Sequence, residues 1–216
     1  LGDYINKGAD PAGVVQIVQL LTANAEGQRV ELPKWLEQSG FQRTLDVLNE
    51  IQVVRLRGNH EDPNSFAIHM SATADMNAYS QRVSEMLGKG LDHTVTSYLV
   101  RRPELFSGPD RAWLAQAISH YPVPPKSGHN PALWHWNDGG ELTAQQATEF
   151  YQNFQRIWVG ALQASGDLGF YAQLKSAYTS GDVNAMHGGP PMTAEGMEKL
   201  WIHLKHGTPL PLEIEK

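Results

Sequence analysis

The chain has 216 residues, of which 41% are hydrophobic, and carries a formal net charge of -6 with a pI near 5.8. This length can bury one sizeable core in one or two domains. The acidic net charge excludes broad electrostatic binding to nucleic acid or an anionic membrane. The sequence contains no apolar run of about 18 residues that would predict a membrane span. The absence of cysteine excludes thiolate metal sites and fits a reducing compartment such as the cytoplasm.

The sequence pattern in the first third of the chain predicts helices followed by a strand. Asp10 and Pro11 precede an apolar stripe of helical spacing, so a helix is expected to begin there. A second amphipathic helix is predicted over about 35–49, with a break near Gly40. The apolar run 51–56 ends at a glycine and predicts a strand. This order favours an α/β sheet rich in parallel strands, with its loops at one edge.

Helices are predicted further along the chain over 65–88, 111–120, 142–162 and 197–204. A proline-rich connector spans 121–128. Because apolar residues recur at helical spacing, we expect 129–182 to be a helical insertion without paired strands. Five aromatic residues are predicted to form the core of the insertion, or alternatively a surface that stacks on a peptide or nucleotide: Trp134, Trp136, Tyr151, Phe154 and Trp158. Residues 183–186 are predicted to form a strand.

Three glycine-flanked polar motifs occur in a fixed order. They are Leu-Gly-Asp-Tyr-Ile-Asn-Lys-Gly at 1–8, Arg-Gly-Asn-His-Glu at 57–61 and His-Gly-Gly at 187–189. Together they resemble the second, third and fourth motifs of the calcineurin-like metallophosphoesterases, specifically the bacterial type of the serine/threonine-protein-phosphatase branch. The first motif of that family, Gly-Asp-x-His-Gly, is not present, and residues 206–209 have the letters of the terminal His motif in a transposed order.

The resemblance implies an α/β fold with a metallophosphoesterase-like β-sheet core that is flanked by helices, incomplete at its N-terminus and interrupted by a helical insertion. The expected organisation is an N-terminal part of the core at 1–128, the helical insertion at 129–182 and a return to the core at 183–216. Two further elements resemble bacterial members, namely Thr-x-x-Ser-Tyr at 94–98 and Leu-Trp-Ile at 200–202.

The resemblance also implies two divalent metal ions, Mn, Fe or Zn, in the intact protein. Asp3 would bridge both ions, and Asn59 and His187 would bind the second ion. From the residues alone, Asp3 could instead cap a turn or helix, and His187 could be a buried structural histidine. Carboxylate, amide and imidazole groups are the donors that hard and borderline ions prefer.

His60 resembles the general acid of the family, which protonates the leaving group while metal-activated water attacks the phosphorus. Asn6 stands where relatives have a carboxylate that orients this histidine, and it adds no charge to support the imidazolium. Lys7 stands where relatives have an arginine that binds the phosphate. Arg57 could bind the phosphate or pair with a nearby carboxylate.

These motifs predict a metal-dependent phosphoester hydrolase similar to serine/threonine protein phosphatases, with a phosphoprotein or a small phosphate ester as substrate. A symmetrical dinucleoside tetraphosphatase is an alternative within the same fold. A second alternative is a non-catalytic interaction protein on a phosphatase scaffold, which the substitutions at Asn6 and Lys7 favour. Because a chain without the first motif lacks two ligands of the first ion, this chain by itself is expected to be poorly active.

Overall fold

The computed structural model describes residue 4 and the ranges 8–37, 39–48, 53–56, 75–125, 133–175, 177–180 and 183–186. The described residues fall into two compact units. The larger unit lies within 3–13 and 60–172, and the smaller unit lies within 14–59 and 173–216. Residues on both sides of the expected boundary at 128/129 therefore fall in one unit.

The larger unit is built mainly from helices. In chain order they are α4 (Met76–Met86), α5 (Asp92–Arg101), α6 (Gly108–Ala117), α7 (Ala144–Ser165) and α8 (Asp167–Ala172). A five-residue π-helical stretch, Leu87–Leu91, joins α4 to α5. The chain bends there at Gly90, whose φ of 107° favours glycine. A short 3₁₀ turn, Pro103–Leu105, precedes α6.

Capping residues explain where the longest of these helices begins and ends. Thr143 and Gln146 form a reciprocal capping box at the start of α7, and Gly166 ends the helix with a left-handed φ of 77°. The predicted helix over 142–162 is thereby confirmed to within a few residues. The core of the larger unit contains large side chains of α4, α5 and α7 that are 0% exposed, namely Tyr79, Tyr98, Tyr151, Phe154 and Trp158.

The larger unit also contains a small antiparallel sheet that the sequence did not predict. Its strands are β1 (Pro122–Val123), β2 (Leu133–Trp136) and β3 (Glu141–Thr143), in the order β1-β2-β3. The expectation of an insertion without paired strands is therefore wrong for 133–143, and it is also wrong for 177–180, which forms a strand that pairs with 183–186. The glycines at 139 and 140, with φ of 110° and 90°, supply the reversal that lets β2 pair with β3.

The smaller unit contains α1 (Pro11–Ala25), α2 (Lys34–Glu37), α3 (Phe41–Leu48), β4 (Ala177–Ser180) and β5 (Val183–Met186), although the first three residues of α1 belong to the larger unit. Side-chain hydrogen bonds from Trp35 to Gln16 and from Asn24 to the carbonyl of Leu45 join α1 to the next two helices. The predicted break between α2 and α3 is confirmed, since Gly40 has a φ of 75°.

The described part of the protein thus combines many helices with small sheets whose named strands pair antiparallel. The sheet rich in parallel strands that the sequence favoured is represented among the described residues by a single parallel bridge, between Leu56 and Lys175. No helix within the described ranges is both long and apolar enough to cross a membrane.

Candidate functional site

The residues that the sequence assigns to the site lie outside the described residues. They are Asp3, Asn6, Lys7, Arg57, Asn59, His60 and His187. Their predicted convergence at one edge of a sheet therefore stays a prediction. The structure does describe residues that are close in sequence to each of the three motifs, and those contacts are given below.

The stretch before the second motif lies against a segment from the C-terminal half of the chain. Leu56, which is 4% exposed, forms a parallel bridge with Lys175. The backbone N–H of Lys175 donates to the carbonyl of Arg55 at 2.9 Å, and the Arg55 guanidinium donates to the Gln173 side chain at 2.7 Å. Residues 53–56 and 173–175 are therefore neighbours in the smaller unit.

The same C-terminal segment leads into the hairpin that precedes the third motif. Strands β4 and β5 pair antiparallel, with Ala177 opposite Met186. Met186 is the last residue before His187, and Ala177 lies two residues after Lys175, the bridge partner of Leu56. Leu56 and Met186 therefore pair with residues that are two positions apart in the chain. The prediction of a strand over 183–186 is confirmed.

The residue that follows Asp3 packs inside the larger unit. The ring of Tyr4 is 8% exposed and lies edge-on to Phe170 of α8, with ring centroids 5.7 Å apart. Phe170 in turn lies edge-on to its neighbour Tyr171 at 5.3 Å. These edge-to-face contacts are favourable geometries for aromatic rings, so Tyr4 is part of the core.

A buried carboxylate and two tyrosine hydroxyls meet beside this aromatic group. The Tyr98 hydroxyl donates to Oδ2 of Asp167 at 2.6 Å and lies 3.4 Å from the Tyr171 hydroxyl. Asp167 is only 1% exposed. Burial, together with the nearby Tyr171 and Asp167, raises the pKa of Tyr98 well above its usual value. Tyr98 is therefore a hydrogen-bond donor at neutral pH and not an acid or base.

A second polar cluster forms at the start of α1. Asp10 accepts hydrogen bonds from the Gly13 backbone N–H at 3.1 Å, the Ser97 hydroxyl at 2.6 Å and Nε of Arg101 at 2.7 Å. Burial alone would raise the pKa of Asp10, but these hydrogen bonds and the Arg101 charge outweigh it and lower the pKa. The Ser97 oxygen also accepts from the Ala12 N–H at 2.9 Å, so one hydroxyl bridges the cluster.

Sequence reasoning found the Thr-x-x-Ser-Tyr element of α5 but gave it no role. Its side chains Thr94, Ser97 and Tyr98 are 0%, 5% and 0% exposed. Polar residues at positions i, i+3 and i+4 share one helix face. The same spacing is also typical of a solvent-exposed polar face. The sequence therefore showed that these residues share a face, but not that this face is buried.

The aromatic cluster predicted for the insertion is buried except at one position. Trp134, Tyr151, Phe154 and Trp158 are at most 5% exposed, which confirms their place in the core. Trp136 is half-buried instead and stacks on His120, with centroids 4.2 Å apart and planes 16° apart. Of these five residues, only Trp136 is exposed enough to belong to a surface that stacks on a peptide or nucleotide.

Among the described residues, no group of three or more potential metal ligands lies close enough together to hold an ion. The proposed ligands Asp3, Asn59 and His187 are outside this set, so the metal site also stays a prediction. No protein-family model, curated protein or solved structure matches the chain.

Proposed function

We propose that this protein is a metal-dependent phosphoester hydrolase similar to serine/threonine protein phosphatases. The observation that carries the proposal is the presence of three motifs in the family's order, at 1–8, 57–61 and 187–189. The positions of two motifs support it. Leu56 and Met186, which precede the motifs at 57–61 and 187–189, pair with Lys175 and Ala177 of the smaller unit.

The proposed metal ligands are Asp3, Asn59 and His187. Carboxylate, amide and imidazole donors suit Mn, Fe or Zn, and the chain offers no thiolate that would select softer ions. Two such ions would supply the Lewis acidity that activates water and neutralises phosphate charge. Asp3 has the only carboxylate of the three, so its two oxygens make it the residue suited to bridge both ions.

The other motif residues have roles toward the substrate. His60 would give a proton to the leaving oxygen, a task for which imidazole is suited near neutral pH. Asn6 would accept a hydrogen bond from the ring of His60 and fix its orientation without adding charge. Lys7 and Arg57 would hold the phosphate oxygens, Lys7 as a point charge and Arg57 as a planar fork.

The test compares His60→Gln with the unaltered protein, using an aryl phosphate and Mn²⁺. Loss of a general acid should lower kcat by roughly 10²–10⁴-fold. His93→Gln is the matched control, because the His93 side chain is 65% exposed on α5. Both variants should be made in this chain and in the longest natural form of the protein.

Metal content gives a second readout that does not depend on turnover. Asp3→Asn should lower the Mn²⁺ retained after dialysis, whereas His93→Gln should not. A phosphoserine peptide and a dinucleoside tetraphosphate, assayed side by side, distinguish the protein phosphatase from the tetraphosphatase alternative. If neither form hydrolyses any of these esters, or if His60→Gln retains full turnover, the proposal is wrong and the non-catalytic alternative is favoured.

A further inference from the structure

The last five residues of the motif at 1–8 begin a segment that is linked to helix α5 at both of its ends. This motif segment, residues 4–13, includes Asn6 and Lys7, which the proposed function assigns to the site. Its described residues and α5 belong to the larger unit. The contacts at its two ends can therefore be compared within one compact body.

The amino end of the motif segment is joined to α5 through α8. Tyr4 packs edge-on against Phe170 at 5.7 Å. In the same short helix, Asp167 accepts the 2.6 Å hydrogen bond from Tyr98 of α5, and Tyr171 lies 3.4 Å from the same hydroxyl. The position of Tyr4 is therefore coupled to Tyr98 by way of α8.

The carboxyl end of the motif segment is held by α5 directly. Arg101 contacts Oδ2 of Asp10 with both Nε, at 2.7 Å, and Nη2, at 2.6 Å. Ser97 donates to Oδ1 of Asp10 at 2.6 Å and accepts from the backbone N–H of Ala12 at 2.9 Å. Two side chains of one helix thus fix both the side chain and the backbone at this end.

Gly13 is the residue that makes the position of the Asp10 carboxylate possible. A Cβ placed at Gly13 would lie 2.3 Å from Oδ2 and 2.7 Å from Cγ of Asp10, which is well inside van der Waals contact. Alanine at this position would therefore force the carboxylate away from its present place against Arg101 and Ser97. This substitution breaks the contact without removing a charge or a polar group.

We propose that Ser97, Tyr98 and Arg101 are positioning residues that hold the motif segment, so that Asn6 and Lys7 meet the phosphate ester in a fixed arrangement. The inference rests on the proposed function and assigns to α5 a part in it. Holding both ends of a short segment before the substrate arrives removes conformational freedom that binding would otherwise have to remove. Small displacements of groups that contact a reacting phosphate are costly for the rate.

The experiment measures Gly13→Ala and Arg101→Gln in the longest form that is active with Mn²⁺ and an aryl phosphate. We expect kcat/KM to fall by about tenfold to a hundredfold. Inhibition by inorganic phosphate should weaken, because the segment that carries the proposed phosphate-binding Lys7 loses its contacts with Arg101. Arg101→Lys keeps the charge but not the planar fork, so it should be intermediate. If Gly13→Ala does not fold, Arg101→Gln tests the same contact.

Arg156→Gln is the matched control, because it removes another arginine–aspartate pair of the larger unit, in which Arg156 lies 2.8 Å from Asp110. It should change neither kinetic quantity. Hydrogen exchange at Ala12 and Gly13, whose N–H groups bond to Ser97 and Asp10, gives a readout independent of turnover. Both amides should exchange faster in Gly13→Ala than in the unaltered protein.

The outcomes separate this inference from the proposed function. If exchange at 12 and 13 rises while kcat/KM and phosphate inhibition stay unchanged in an active protein, the ends are held but do not position the site, and the inference alone is wrong. If the control loses as much activity as Arg101→Gln, the effect is one of general stability and the inference is also wrong. If the unaltered protein hydrolyses no phosphate ester in any form, the proposed function fails and the inference fails with it.

Discussion

Two fully buried tyrosines of the larger unit differ in what their hydroxyls contact. Tyr79 and Tyr98 are both 0% exposed. The Tyr98 hydroxyl donates to the buried Asp167 carboxylate at 2.6 Å, whereas the Tyr79 hydroxyl has no hydrogen-bond partner among the described residues. Replacing each by phenylalanine removes a single oxygen and keeps the ring, including the edge-on contact of Tyr98 with Trp158 at 5.1 Å. The pair therefore isolates the value of a satisfied hydroxyl.

We expect Tyr98→Phe to lower the free energy of unfolding by about 2–3 kcal/mol. A hydrogen bond to a charged group contributes about 1.5–3 kcal/mol, and the substitution also leaves Asp167 one donor short. Tyr79→Phe should leave this free energy unchanged or raise it by up to about 1 kcal/mol, because a buried hydroxyl without a partner is unfavourable. At about 2–4 °C per kcal/mol for a chain of this size, the two variants should differ in Tm by several degrees.

The measurement is urea and thermal unfolding of the three proteins, followed by circular dichroism at neutral pH. Burial raises the pKa of both tyrosines, so neither hydroxyl titrates in this range and the comparison is one of neutral groups. Equal losses of stability in Tyr79→Phe and Tyr98→Phe would refute the reasoning, since they would mean that the rings' surroundings and not the Asp167 hydrogen bond decide the effect.

Three further predictions, which use four substitutions, are tested by unfolding measurements. The pKa of Asp10 is lowered from 3.8, so its ion pair with Arg101 stabilises the fold above that pH. This stabilisation is lost as the pH falls through the lower folded-state pKa. The difference in unfolding free energy between Asp10→Asn and the unaltered protein should therefore shrink below about pH 4. Leu162→Ala, at a 0% exposed position, should cost about 2–5 kcal/mol, while Val100→Ala, at a 69% exposed position, should stay within about 0.5 kcal/mol. Thr143→Ala removes the side-chain cap of α7 and should cost about 1 kcal/mol; a loss under 0.3 kcal/mol would contradict that role.

The features that the sequence predicted correctly depend on neighbours in the chain. Asp10 caps the helix that begins at Pro11, Gly40 separates α2 from α3, and Thr143 begins α7. Each depends on backbone geometry or on a hydrogen bond that spans at most three residues. Periodicity and capping chemistry are sufficient to locate such features in one sequence.

The features that the sequence missed depend on partners far along the chain. The bond between Tyr98 and Asp167 spans 69 residues, and the bond between Arg101 and Asp10 spans 91. Strand β2 is only four residues long, too short for an alternating pattern to distinguish it from helix. Its pairing with β3 can be predicted only when the chain reversal at 139–140 is already known.

The polar face of α5 is difficult to explain by the stability of the helix alone. Polar groups that are removed from water stabilise a fold only when their hydrogen bonds are satisfied, and a well-packed apolar face is at least as stable. Here Ser97 and Arg101 bond to Asp10 and Ala12 of the motif segment. Tyr98 bonds to Asp167 of α8, the helix that packs against Tyr4. A helix that only filled the core would not need these side chains, so the polar face of α5 is explained by the hydrogen bonds that it makes to Asp10, Ala12 and Asp167.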